Sequence, residues 1–192
     1  MNIISFDKKF RKPGQKYLGT AVQGEEDYPK LEKFIKEFPD GQVVVFDISG
    51  FELFGYSYSK QTIRAAHLAN KAGLFGSRFL LVKAPDKEYA SELAGALTEE
   101  SVVMICSYAT GSGEFYNDYS LLGEINEVQR QTLDHIIKKK ELISSDLMND
   151  LKIQTISAAS NRLSRLKDER LIRWEDSGVH KGNVFQCRRI DP

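Results

Sequence analysis

The sequence carries only two cysteines in 192 residues. Cys106 and Cys187 belong to no CxxC pair and to no Cys/His spacing that would hold zinc or run thiol exchange. Free thiols buried in a reducing compartment are the simpler reading. Also lacking is any apolar run near the roughly 20 residues a membrane helix requires. Asp7, Lys8 and Lys9 interrupt the start before a signal-peptide core can build. A cytoplasmic protein without a membrane partner is expected. Net charge is missing too: 27 Lys and Arg balance 27 Asp and Glu, so the whole-chain sum offers nothing to nucleic acid. A hydrophobic fraction of 41% and a charged fraction of 28% exclude wholesale disorder, a collagen repeat and a disulfide scaffold.

What is present alternates. Val43–Ile48, Arg78–Val82 and Val102–Cys106 are short, continuous apolar runs rich in β-branched residues, the pattern of strands covered on both faces. Asn2–Phe6 supplies a further strand. Helical spacing lies between them: Leu31, Phe34, Ile35 and Phe38 within Tyr28–Phe38, then Ser59–Ala72, then Lys87–Leu97. Strands joined by helices predict a small α/β domain over residues 1–120.

Beyond Gly111-Ser112-Gly113 the pattern changes. Leu121, Leu122, Ile125, Val128, Leu133, Ile136 and Ile137 mark one face of a connecting helix of roughly four turns. Ser144-Ser145-Asp146 offers an N-cap and a first-turn acid for a short helix carrying Leu147 and Leu151. A turn at Lys152-Ile153-Gln154 leads to a helix over Thr155–Glu169, with Ile156, Ala159, Leu163 and Leu166 inward. Two strand-like pieces, Leu171–Glu175 and Asn183–Ile190, then flank a polar loop. Three helices and a β-hairpin predict an α+β winged helix over residues 121–192, the connecting helix included.

The stretch Ile153–Ile172, with its Arg-Leu-x-Arg-Leu rhythm, resembles the turn, recognition helix and first wing strand of bacterial winged helix-turn-helix regulators. Arg170 stands where such proteins often carry the glycine that ends the helix in a left-handed conformation. The resemblance implies contact with double-stranded DNA, and the residue types agree. Gln154, Thr155, Ser157 and Asn161 are small or amide-bearing, and Arg162 and Arg165 bring guanidinium groups. Amides pair with adenine and arginine with guanine in the major groove. His180 and Lys181 at the wing tip are set to reach phosphate or the minor groove. From Lys152 to Ile190 the chain carries nine basic and four acidic residues, whereas residues 1–125 carry 14 basic and 17 acidic. The basic excess coincides with the expected recognition element.

The segment Gln42–Ile63 resembles the central strand, loop and helix start of STAS domains, the fold of anti-sigma-factor antagonists, with Asp47, Gly50 and Ser57 at the matching places. Tyr17-Leu18-Gly19 is similar to the family's opening. A mixed sheet with helices is thereby implied. In those antagonists a serine at the helix start is phosphorylated to switch a partner, because a dianionic phosphate disrupts a close interface. That role falls on Ser57 and Ser59, although Gly55-Tyr56-Ser57-Tyr58 replaces the family's Asp-Ser-Ser-Gly pattern. Both serines also fit the plain role of N-caps.

The glycine-rich loop at 111–113 has neither a P-loop nor a complete GxGxxG pattern, and His67, His135 and His180 are dispersed. No enzyme, metal site or cofactor is expected. The aromatic residues Phe51, Phe54, Tyr56, Tyr58, Phe115, Tyr116 and Tyr119 fit a partner-binding patch or a packed core. The expected protein is a dimeric DNA-binding transcription regulator whose STAS-like domain senses or binds a protein partner. The alternative is a partner-switching adaptor whose winged helix docks protein.

Overall fold

The computed structural model describes residues 2–98, 102–108, 115–116, 118–176 and 185–191. The chain forms two compact units, Met1–Glu124 and Ile125–Asp191. The first unit is a mixed α/β layer structure. Its order is β1 (Asn2–Ser5), α1 (Phe6–Phe10), β2 (Tyr17–Leu18), α2 (Ala21–Glu37), β3 (Val43–Asp47), β4 (Leu53–Phe54) and α3 (Tyr56–Ser59). A π-helical turn (Lys60–Arg64), α4 (Ala65–Lys71), β5 (Phe79–Lys83), α5 (Tyr89–Thr98), β6 (Met104–Ser107) and β7 (Tyr119–Leu122) follow.

The three expected apolar runs become β3, β5 and β6 of a five-stranded sheet ordered β1-β3-β5-β6-β7. The first four strands are parallel and β7 is antiparallel to β6. Alternate residues explain why each run is continuous. Val44, Phe46, Leu80, Val82, Met104 and Cys106 pack with the helices' Leu31, Ile35, Tyr58, Ile63 and Leu93 in one core. Val45, Leu81 and Ile105 point to the opposite face and are buried as well.

Helix α2 starts two turns earlier than the apolar spacing predicts. Thr20 caps it by accepting the Gln23 N–H at 3.2 Å. Its buried stripe is Gly24, Asp27, Leu31 and Ile35, so hydrophobic periodicity is silent over the first half. Gly24 is required by close packing, since a Cβ there would lie 2.7 Å from the Cβ of Gln61. The buried Asp27 carboxylate accepts the Tyr58 hydroxyl at 3.1 Å and pairs with Lys30 at 3.1 Å. Burial, reinforced by that carboxylate, pushes the Tyr58 phenol pKa upward.

Ser57 and Ser59 are not N-caps. Gly55 occupies that position and α3 begins at Tyr56. Ser59 is buried and donates its hydroxyl to the Gly55 carbonyl at 2.9 Å, while Thr62 donates to the Tyr58 carbonyl at 2.7 Å. These back-bonded side chains stand at the start of the widened π-turn and inside it. Phe51, Phe54, Tyr58 and Phe115 are buried, so most of the aromatic patch is core. Phe54 and Tyr58 meet edge to face at 5.2 Å, and Phe6 packs on Phe54 at the same separation.

The second unit consists of α6 (Glu127–Lys139), β8 (Glu141–Leu142), α7 (Ser144–Asp150), α8 (Ile156–Asp168), β9 (Arg173–Asp176) and β10 (Phe185–Arg188). Its antiparallel sheet has the order β8-β10-β9. The connecting helix is shorter than expected, because Leu121 and Leu122 belong to β7 rather than to it. Gly123, at φ +87°, ends that strand where a Cβ would lie 1.9 Å from the Val102 carbonyl oxygen. Asn126 then caps α6 by accepting the Gln129 N–H at 2.9 Å. Ile143, not Ser144, stands at the N-cap of α7, and Asp146 accepts the Ile143 N–H at 3.2 Å. Leu133, Ile136, Leu147, Leu163, Leu166, Leu171 and Ile190 fill the core of the unit.

Candidate nucleic-acid interface

Helix α8 is built as the spacing predicts at both ends. Thr155 is the N-cap and accepts the Ala158 N–H at 3.1 Å, which leaves its hydroxyl proton available to donate. Ala159, Leu163 and Leu166 are buried. Opposite them, Ser157, Asn161 and Arg165 form an exposed row at i, i+4, i+8, with Gln154 exposed in the preceding turn and Arg162 half-buried on the flank. Ile156 departs from the expected inward stripe: it is 54% exposed. It sits one turn beyond Ala159, past the end of the buried face. The row ends at exposed Asp168, so its first three turns are free of acid.

The charges sort by position. Lys152, Arg162 and Arg165 have no acidic partner among the described residues. Elsewhere in the unit Arg130 pairs with Asp134 at 3.2 Å, Lys139 with Asp150 at 3.3 Å and Arg189 with Asp191 at 2.7 Å. Lys167 lies over the Trp174 ring at 5.2 Å. Of Lys152, Arg162 and Arg165, the first precedes the N-terminus of α8, the second lies mid-helix and the third lies in the last turn, and cations without an acidic partner favour an anionic ligand such as phosphate.

The helix ends add a feature that residue types do not announce. Lys140, Lys152 and Arg170 have φ of 72°, 51° and 58°, whereas the positive-φ residues among the described residues of the first unit are all glycine. Arg170 thus adopts the left-handed conformation that glycine usually takes there. Its N–H bonds the Lys167 carbonyl at 2.8 Å and the next N–H, Leu171, bonds Leu166 at 2.9 Å. Lys152 ends α7 the same way, with Ile153 N–H on the Met148 carbonyl at 2.9 Å. Both are Schellman endings. The second one sets Gln154 and Thr155 at the mouth of α8.

His180 and Lys181, expected at the wing tip, lie outside the described residues, as does the loop at 111–113. Ser57 and Ser59 belong to the first unit. Ser57 is half-buried in the first turn of α3, and Ser59 is enclosed. Asp47 accepts the Ser49 backbone N–H at 3.1 Å and so holds the loop that leads to Gly50. One cleft of that unit, about 400 Å³, is lined by Glu52, Leu53, Asp86, Glu88, Tyr89, Ser91 and Glu92. Four carboxylates there repel a nucleotide's phosphates. His67 is buried, and His135 bonds Asp150 at 2.8 Å. Burial pushes the Cys106 thiol up to about 12, which keeps it protonated and unreactive. No cluster of three or more metal-ligating side chains occurs among the described residues, and no helix there is long and apolar enough to cross a membrane.

Lys152 and Ile156 are two further exposed side chains at the start of α8. The sequence pattern places Lys152 in a turn and within the basic excess, and Ile156 in the inward stripe. No protein-family model matches the chain, and no curated protein or solved structure matches it either.

Proposed function

We propose that the second unit is a winged helix that binds duplex DNA through α8, and that the chain is a transcription regulator controlled through its STAS-like first unit. The observation that carries this reading is the row Gln154, Ser157, Asn161 and Arg165, exposed and acid-free, flanked by the unpaired cations Lys152 and Arg162. A surface row of this size that served only for solvation would be expected to mix its charges.

Element order supports the same reading. The succession α6-β8-α7-α8-β9-β10, with β8 pairing β10, is the succession of a winged helix, and β8 adds a strand that the sequence pattern left out. From Ser157 to Arg165 the row spans about 12 Å at the helical rise of about 1.5 Å per residue. That covers between three and four base-pair steps of about 3.4 Å. Small and amide side chains near the N-terminus would approach base edges, and Arg165 would reach guanine or phosphate. In the first unit, parallel strands alternating with helices and the Asp47–Gly50 loop support the STAS-like assignment. A protein partner or a second copy bound there would change how two α8 helices meet successive grooves.

An electrophoretic shift with random-sequence duplex at low salt tests the reading. The wild-type chain should retard the duplex, and the Lys152→Ala/Arg165→Ala double variant should lose most of that retardation. A wild type that leaves the duplex unshifted, or a variant that shifts it equally, would make the second unit a protein-docking module instead.

A further inference from the structure

Ile156 stands out among the side chains at the mouth of α8. The apolar periodicity assigns it to the core, yet it is 54% exposed, while Ala159, Leu163 and Leu166 complete the buried face without it. A polar residue at this first helical position would serve folding at least as well, because the isoleucine is left largely in water. Its surroundings are specific. Gln154 precedes it, and Ser157 follows with a side chain too small to hold a partner away. No acid lies between it and Asp168 in the helix.

In the major groove an A·T pair presents the adenine N6/N7 edge, which an amide reads, and the thymine C5-methyl group, which only an apolar side chain rewards. A G·C pair offers nothing to an isoleucine. Resting on the reading of α8 as a DNA-contacting helix, we propose that Ile156 is a specificity-determining residue: it packs on a thymine C5-methyl group, and the N-terminal turn of α8 thereby selects an A·T pair.

The test begins with full-length protein and a pool of random-sequence duplexes, from which bound duplexes are recovered and sequenced. Each thymine of the selected duplex is then replaced singly by deoxyuridine, which lacks only the methyl group, and affinity is measured by fluorescence anisotropy. One replacement should weaken wild-type binding roughly fourfold, the worth of one buried methyl group. The same replacement should cost Ile156→Ala nothing and should still cost Ile156→Val. Equal loss in wild type and Ile156→Ala, or no sensitive thymine, overturns the proposal. Duplex binding without any selected sequence overturns it too, while leaving the DNA-binding reading standing. No binding to any duplex removes both.

Discussion

A left-handed backbone costs a side-chain-bearing residue roughly 1–2 kcal/mol, and Lys152 and Arg170 bear that cost. Glycine would relieve the strain but lose about 0.5–1 kcal/mol through its freer unfolded chain. Arg170→Gly is therefore expected to stabilise the protein by about 0.5–1 kcal/mol net. Urea unfolding would record this as a higher midpoint at unchanged slope. Lys152→Gly should bring a similar gain in stability together with weaker DNA binding, its salt slope reduced by about one. If both stability and affinity rose, Lys152 would have no part in the interface. Arg170 was readable from the sequence because the winged-helix resemblance marks a glycine place. Lys152 was not, since a lysine gives no sign of a left-handed conformation that the i−5 hydrogen bond of the following residue imposes.

Elements were legible wherever burial and sequence period coincide. β3, β5 and β6 are buried on both faces and read as unbroken apolar runs, and α8 has a cap, a stripe and a basic last turn. β8, two residues long, is too short to carry a period. The first half of α2 was hidden because Gly24 and Asp27 occupy its inward positions. Gly24→Ala should accordingly destabilise the first unit, since its new Cβ would collide with Gln61. An unchanged urea midpoint would show that this packing is loose.

Helices α6 and α7 are tied by one carboxylate. Hydrogen bonds from His135 and then Lys139 hold Asp150 below its ordinary value of 3.8. A folded pKa below the unfolded one contributes stability above the ordinary range, and that contribution drains away as pH falls through the lower folded value. Between neutral and strongly acid pH, Asp150→Asn should therefore show a shallower loss of stability than wild type. Parallel urea midpoints across that range would contradict the tie.

At the scale of the whole molecule, zero net charge is a sum of unlike parts. Residues 1–125 hold 14 basic and 17 acidic side chains, and residues 126–192 hold 13 and 10. The structure sharpens this asymmetry, because Arg130, Lys139 and Arg189 are spent on neighbouring carboxylates whereas Lys152, Arg162 and Arg165 have no acidic partner among the described residues. Composition could register the excess but not its distribution, which depends on which side chains the fold brings together. Binding that rests on those three cations must release counterions from DNA, and so must weaken with salt. The deciding measurement is the affinity for random-sequence duplex across a salt series, in wild type and in Lys152→Ala/Arg162→Ala/Arg165→Ala. The expected result is a wild-type log–log slope of magnitude about three or more, lowered by two to three in the variant, at about 0.9 per phosphate contact. Absent binding, or slopes identical in the two proteins, would contradict a DNA-binding role for α8.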